Sequence, residues 1–149
     1  AGREAHDALA AAASSCAEFG LPLLIENEPG FVASTGAEIA ALLDAVDHES
    51  LFVNWDPANA GDLSRAALET GLRAIFPRVR HVHVKNGRCR PGERFPAYGP
   101  LSEGDIDWPA HLRRLFELGY DGYLGVETHF EPVREGSEIV LAELREMLA

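Results

Sequence analysis

Arg80-His81-Val82-His83-Val84-Lys85 reads as a β-strand from its alternation alone. Side chains two apart share a face of a strand, so Val82 and Val84 lie on one side and His81, His83 and Lys85 on the other. The valine face suits a packed layer of helices. Two imidazoles and an ammonium on the opposite face suit a site rather than a core.

The same pattern recurs on either side. Upstream, a helix over 63–76 ends at Pro77, and Leu51-Phe52-Val53-Asn54-Trp55-Asp56 forms a strand stopped by Pro57. Before that, Thr35 and Glu38 make a capping box for a helix running to about Val46. Leu21-Pro22-Leu23-Leu24-Ile25-Glu26 is another strand, broken by Asn27-Glu28-Pro29-Gly30. An Ala-rich helix over 3–19 precedes it and closes at Gly20. Downstream, a long loop spans 86–106. Asp107 then caps a helix opened by Trp108-Pro109, which runs to Leu118. Tyr123-Leu124-Gly125-Val126-Glu127 is the last strand, and a helix over about 136–148 follows. One helix followed by four strand–helix units predicts an α/β fold with parallel strands and right-handed crossovers, as a single domain over 1–149. The strands are near-continuous apolar runs, which predicts that helices or other strands cover both faces.

Composition sets limits on function. The chain has 149 residues, 46% of them hydrophobic, enough for one compact core. Lys plus Arg is 13 and Asp plus Glu is 24, a net charge of −11. That balance argues against nucleic acid, whose phosphates need clustered cations, and against an anionic membrane surface. No apolar run approaches the ~18 residues of a membrane span. The opening Ala-Gly-Arg-Glu-Ala-His-Asp lacks the basic stub and apolar run of a secretory signal, so the cytoplasm is the expected compartment. Cys16 and Cys89 have no CxxC partner, so neither a disulfide framework nor a zinc ribbon is indicated. Cys16 falls on a helical stripe with Leu9, Ala12 and Phe19 and is expected in the core. Cys89 lies between Arg88 and Arg90, where it is either a thiol activated by those charges or an inert loop residue.

The informative feature is positional. Each strand finishes in a residue able to bind a metal: Glu26, Asp56, His83 and Glu127. In parallel α/β folds, ligands bind at the carboxyl ends of the strands. Taken singly, each has a bland explanation. Glu26 and Glu127 could be solvated strand-end acids, and Asp56 before Pro57 a turn opener. Four at matching positions point to one shared site. Three carboxylates and one imidazole favour a hard divalent ion (Mn²⁺, Mg²⁺ or Co²⁺) over structural zinc. Such an ion could hold a hydroxy-carbonyl compound and stabilise the enediolate left when its α-proton departs, with a glutamate removing and returning that proton. Gly125 shares the face of Glu127 and leaves room beneath it. His81 lies deeper than His83. It is either a hydrogen-bonded core residue or a group behind the ligands, and it is kept among the substrate-side candidates.

These pieces together resemble the C-terminal half of the xylose-isomerase-like barrel superfamily, in particular the sugar phosphate isomerase/epimerase group. That group includes ketose 3-epimerases, hydroxypyruvate isomerase and inosose dehydratase. The matching stretches are Leu24-Ile25-Glu26-Asn27, Asn54-Trp55-Asp56-Pro57-Ala58-Asn59, His81-Val82-His83-Val84-Lys85-Asn86, Gly104-Asp105-Ile106-Asp107-Trp108 and Gly119-Tyr120-Asp121-Gly122-Tyr123-Leu124-Gly125-Val126-Glu127. They cover about residues 4 to 148. The resemblance implies that the strands are the fifth to eighth of a TIM (β/α)8 barrel. It implies metal ligands at Glu26, Asp56, His83 and Glu127, with Glu26 and Glu127 also the acid/base pair. It further implies substrate contacts from Asn59, at a position often held by His, and from Lys85 and Arg88. His129 follows Glu127 in phase and is expected near the rim. The loop over 86–106, with Arg88, Arg90 and Arg94, is either a lid over an anionic or polyhydroxy substrate or a solvated connection.

The expected function is a metal-dependent isomerase or epimerase of a small sugar or hydroxy-carbonyl compound. The alternatives are a dehydratase of the inosose dehydratase type and a non-catalytic metal-binding fragment. An apurinic-site nuclease fits poorly, because it needs more metal-binding His and a basic face. A whole barrel takes about 250 residues, so the chain is expected to hold four of eight units. It would then begin within the fourth helix of a longer protein, or form a half-barrel that pairs with a second copy as a homo-oligomer.

Overall fold

The computed structural model describes residues 2–90, 92 and 96–149. The elements, in chain order, are α1 (Arg3–Glu18), β1 (Leu23–Glu26), α2 (Gly36–Val46), β2 (Leu51–Trp55), α3 (Arg65–Ile75), β3 (Val79–Val84), β4 (Asn86–Arg88), β5 (Ala97–Gly99), α4 (Trp108–Glu117), β6 (Tyr123–Val126) and α5 (Val133–Leu148). Strands β1, β2, β3 and β6 form one parallel sheet in that order. This is the predicted α/β architecture.

Helix starts follow their caps. Thr35 Oγ1 accepts from Glu38 N while Glu38 answers to the Thr35 backbone, which completes the predicted box. Asp107 accepts from Ala110 N at 3.1 Å and opens α4. Helices α2 and α3 meet where both lack a side chain. A Cβ on Gly36 would overlap the backbone of Gly71, so only glycine allows that approach.

The core lies on one face of the sheet. Val53, Trp55, Val82 and Val84 are fully buried against Leu68, Leu72 and Ile75 of α3 and Trp108, Leu112 and Leu115 of α4. Each such aliphatic side chain removed from water contributes about 1.5–3 kcal/mol. The prediction that both faces are covered needs correcting. His81 and His83 of β3 are half-buried, and β1 and β6 are partly exposed along most of their length.

Register decides what stands at the site. Val53 pairs with Val79 but Asn54 pairs with His81, so the ladder skips Arg80. This irregularity places His81 rather than Arg80 beside Asn54. His83 then pairs with Gly125, and Glu26 with Asn54.

Four local expectations change. The span 86–106 is not a plain loop: β4 and β5 form an antiparallel hairpin. Its base hangs on Asn86, which donates to the carbonyls of Leu101 and Ile106 and accepts from the amides of Gly87 and Ile106. Helix α5 begins at Val133, earlier than predicted. Leu21 and Pro22 fall outside β1. Cys16 is only half-buried, because the stripe expected to bury it ends in Phe19, which is 79% exposed. Among the described residues, no helix is long and apolar enough to cross a membrane.

Candidate metal centre and active site

Glu26 is the last residue of β1, His83 is the penultimate residue of β3, and Asp56 and Glu127 directly follow β2 and β6. One side-chain oxygen or nitrogen from each lies within 4.8 Å of the others. His83 Nδ1 is the hub, at 3.1 Å from Glu26 Oε1, 3.4 Å from Glu127 Oε2 and 3.8 Å from Asp56 Oδ2.

Two of these residues are held by the backbone. Asn27, wholly buried just after β1, donates to Asp56 O at 2.7 Å and accepts from Asp56 N at 2.8 Å. Ala58 N donates to Asp56 Oδ1 at 2.8 Å. Asp56 is thus fixed at main chain and side chain alike. Glu127 N donates to Val84 O, extending the β3–β6 ladder by one step. The side chain of Asn54 lies beneath the group, donating to Glu26 Oε2 at 3.2 Å and approaching His83 Nε2 at 3.0 Å. His81 packs edge-on against His83 with ring centroids 5.4 Å apart. It fills the space left by Gly125, where a Cβ would overlap His81 Nε2.

Lys85 completes the cluster. Its Nζ lies 2.6 Å from Glu127 Oε2, 2.7 Å from Asp56 Oδ2 and 3.4 Å from His129 Nε2. Electrostatics follow from this crowding. Burial raises Asp56 to about 7, with the charges of Glu26 and Glu127 adding to the rise and Lys85 opposing it. Burial alone would lower Lys85, but the Asp56 and Glu127 carboxylates overcome it and push the ammonium up to about 12. Glu127 is held below the usual carboxylate range, because the hydrogen bond and charge of Lys85 outweigh its desolvation. His83 is raised by the Glu26 hydrogen bond against the pull of burial. His81 is lowered by burial and then by His83.

The donor set fits a divalent cation. Neighbouring ligands of an octahedral ion bound at about 2.1 Å sit about 3 Å apart, close to the observed His83–Glu26 and His83–Glu127 spacings. Asp56 Oδ2 is buried and faces the Lys85 ammonium at 2.7 Å and His83 Nδ1 at 3.8 Å. A buried carboxylate oxygen whose nearest neighbour is a cation is one that a metal ion could also approach.

A family model for the xylose isomerase-like TIM barrel matches residues 2–148. The chain belongs to that family. It is 30% identical over 128 residues to an inosose dehydratase from Clostridium perfringens (strain 13 / Type A), an alignment covering 77% of this chain and 43% of the relative. The barrel is therefore partial: the chain spans about half the length of the curated relatives it matches. Among solved structures, a xylose isomerase domain protein from Planctomyces limnophilus superposes with a TM-score of 0.78 at 23% identity, over 97% of this chain and 50% of that one. An L-ribulose 3-epimerase gives 0.77 at 19%, over 96% and 52%. A xylose isomerase-like barrel protein from Mycobacterium smegmatis, crystallised with magnesium, gives 0.73 at 21%, over 100% and 53%. These structures share the fold.

At the barrel rim a cleft of about 390 Å³ opens onto Glu127 and Lys85 and is walled by Glu28, Asn59, Tyr98 and His129. Of the residues predicted on the substrate side, Asn59 and Lys85 line it. Asn59 donates to Glu28 Oε2 at 2.8 Å and to Asn27 O at 3.0 Å. His81 packs against His83 and is not among the lining residues, and Arg88 is exposed at the end of β4 and is not among them either. Arg94 lies outside the described residues. Cys89 is not activated: burial and the nearby Asp105 carboxylate raise its thiol. The sequence reading missed Asn27, Asn54 and Tyr98 as parts of the site. Asn54 had a visible signal, being two residues before Asp56 on the same strand face. Tyr98 had none, because its strand is only Ala97–Gly99 and it reaches His129 by ring contact at 4.9 Å.

Proposed function

We propose that this chain carries the metal-binding half of an enzyme that removes a proton next to the carbonyl of a small polyhydroxy compound and returns it, as an isomerase or epimerase. On this reading the strands are the fifth to eighth of the barrel. Glu26, Asp56, His83 and Glu127 would hold one divalent ion (Mn²⁺, Mg²⁺ or Co²⁺). The ion supplies positive charge against the oxygen anion that develops on the substrate. The observation that carries the proposal is the placement of two glutamates at the two outer strands, both reaching His83 from either side.

Each residue's part follows from its surroundings. Glu127 lines the cleft and is kept ionised by Lys85, so it takes the proton. Glu26, across the group, returns one on the opposite side. Asn59 offers its Oδ1 to a substrate hydroxyl, Lys85 the N–H not turned to Asp56 and Glu127, and Tyr98 with His129 closes one wall. A second reading, dehydration, is supported by the 30% identity to an inosose dehydratase. It shares the first proton removal but ends in loss of a hydroxyl group.

The test is incubation with Mn²⁺ and a panel of ketoses and inososes in D₂O. Deuterium is expected at the α-carbon, with exchange falling about 100- to 10,000-fold in Glu127→Gln. An epimer among the products supports the first reading, and an enone absorbance supports the second. Metal binding with no exchange on any substrate means a non-catalytic module. Full exchange in Glu127→Gln overturns the acid/base assignment.

A further inference from the structure

Three carboxylates converge here, and one divalent ion leaves a negative charge unmatched. Lys85 stands where that balance would be restored. Its Nζ bridges Asp56 Oδ2 and Glu127 Oε2 at 2.7 and 2.6 Å, two oxygens of the ligand group itself. Its side chain is 5% exposed, so water screens these contacts little. Its main chain is pinned, because Trp108 Nε1 donates to Lys85 O at 3.0 Å. His129 Nε2 at 3.4 Å and the Tyr98 ring at 5.9 Å also lie near the ammonium. In two-metal sites a second ion sits about 3.5–4 Å from the first, sharing carboxylates with it. The Lys85 ammonium already occupies a carboxylate-bridging position of that kind.

We infer that Lys85 is the resident cation of this centre: it takes the place of a second metal ion, so the site binds one divalent ion, and ammonium and metal act as partly interchangeable counter-charges for Asp56 and Glu127. The inference rests on the four-ligand reading above and adds the competitor, and with it a reason why the site takes one ion. Two consequences follow from Coulomb's law in a buried site. Removing the ammonium should tighten metal binding, because a like charge near the ion is gone. It should also weaken the metal-free fold, because a buried aspartate loses its partner.

The experiment compares wild type, Lys85→Met and Lys85→Arg by Mn²⁺ calorimetry and by thermal melts in EDTA and in saturating Mn²⁺. Wild type is expected to bind one Mn²⁺ per chain. Lys85→Met should bind it at least tenfold more tightly, melt lower than wild type in EDTA, and recover more than half of that gap in Mn²⁺. Lys85→Arg should stay within threefold of the wild-type affinity. If Lys85→Met does not fold in EDTA, folding restored by Mn²⁺ supports the inference and no restoration overturns it. Unchanged or weaker affinity, or a gap that Mn²⁺ does not narrow, overturns it while leaving the four ligands intact. Two Mn²⁺ per wild-type chain also overturns it. A wild-type chain that binds no Mn²⁺ removes the metal centre itself and this inference with it.

Discussion

Asp56, after inner strand β2, and the two glutamates of the outer strands belong to one candidate metal group, but they are held differently. Asp56 follows inner strand β2 with its side chain wholly buried, clamped by Asn27 and Ala58 N. Glu26 and Glu127, on outer strands β1 and β6, keep side-chain exposures of 30% and 34% and are steered by side chains, Asn54 and Lys85. A clamped, buried oxygen is suited to holding an ion. A half-exposed carboxylate beside a cleft can still change protonation and meet a substrate. On the proposed reading, the group thereby divides into one anchoring carboxylate and two working ones.

The largest expected effect breaks the anchor. Asn27→Ala leaves the main-chain N–H and C=O of Asp56 without their partner in a buried place, which should cost about 3 kcal/mol and weaken Mn²⁺ binding. Urea unfolding and a metal titration check both. A mild loss of stability would mean the inner strands do not depend on this clamp.

The next effect tests how the inner sheet is tied to its helices. Trp55 Nε1 donates to His111 Nε2 at 3.3 Å, and burial holds His111 down to about 4. Unfolded, this imidazole takes a proton near pH 6.5. Between those values the unfolded chain binds the proton and the folded chain does not, so stability falls as pH drops through that window, by up to about 3 kcal/mol. His111→Gln keeps an acceptor for Trp55 and should flatten that part of the pH profile, measured as urea midpoints from pH 7 to 4. An equally steep profile in the variant would place the loss elsewhere.

The smallest structural effect is expected at an outer strand. Glu26→Gln keeps the shape and relieves repulsion among three carboxylates, so stability should change by less than about 1 kcal/mol. Mn²⁺ affinity should nevertheless fall at least tenfold. A large stability loss would erase the distinction between inner and outer ligands.

The sequence revealed the alternation of helices and strands, and it revealed the strand-end residues because a polar group at the end of an apolar run is visible without any partner. What it hid depends on partners. The skipped Arg80 in the β2–β3 ladder arises between strands, so no single strand displays it. The hairpin Asn86–Arg88 with Ala97–Gly99 is two strands of three residues, too short for alternation to register. Asn27 looks like any turn asparagine until Asp56 arrives beside it. Arg88 drew attention through its charge, yet charge alone does not say which way a hairpin carries a residue. Lys85 looks like a substrate contact in the sequence, but its shortest contacts in the structure are the Asp56 and Glu127 carboxylates, which come from two other strands.

The most direct test of the central claim is pulsed electron paramagnetic resonance of Mn²⁺ bound to this chain. One ion per chain should show a single ¹⁴N coupling from an imidazole, lost in His83→Gln, with binding abolished in Asp56→Ala. A bound ion without nitrogen coupling, or affinity that survives Asp56→Ala unchanged, would contradict the account.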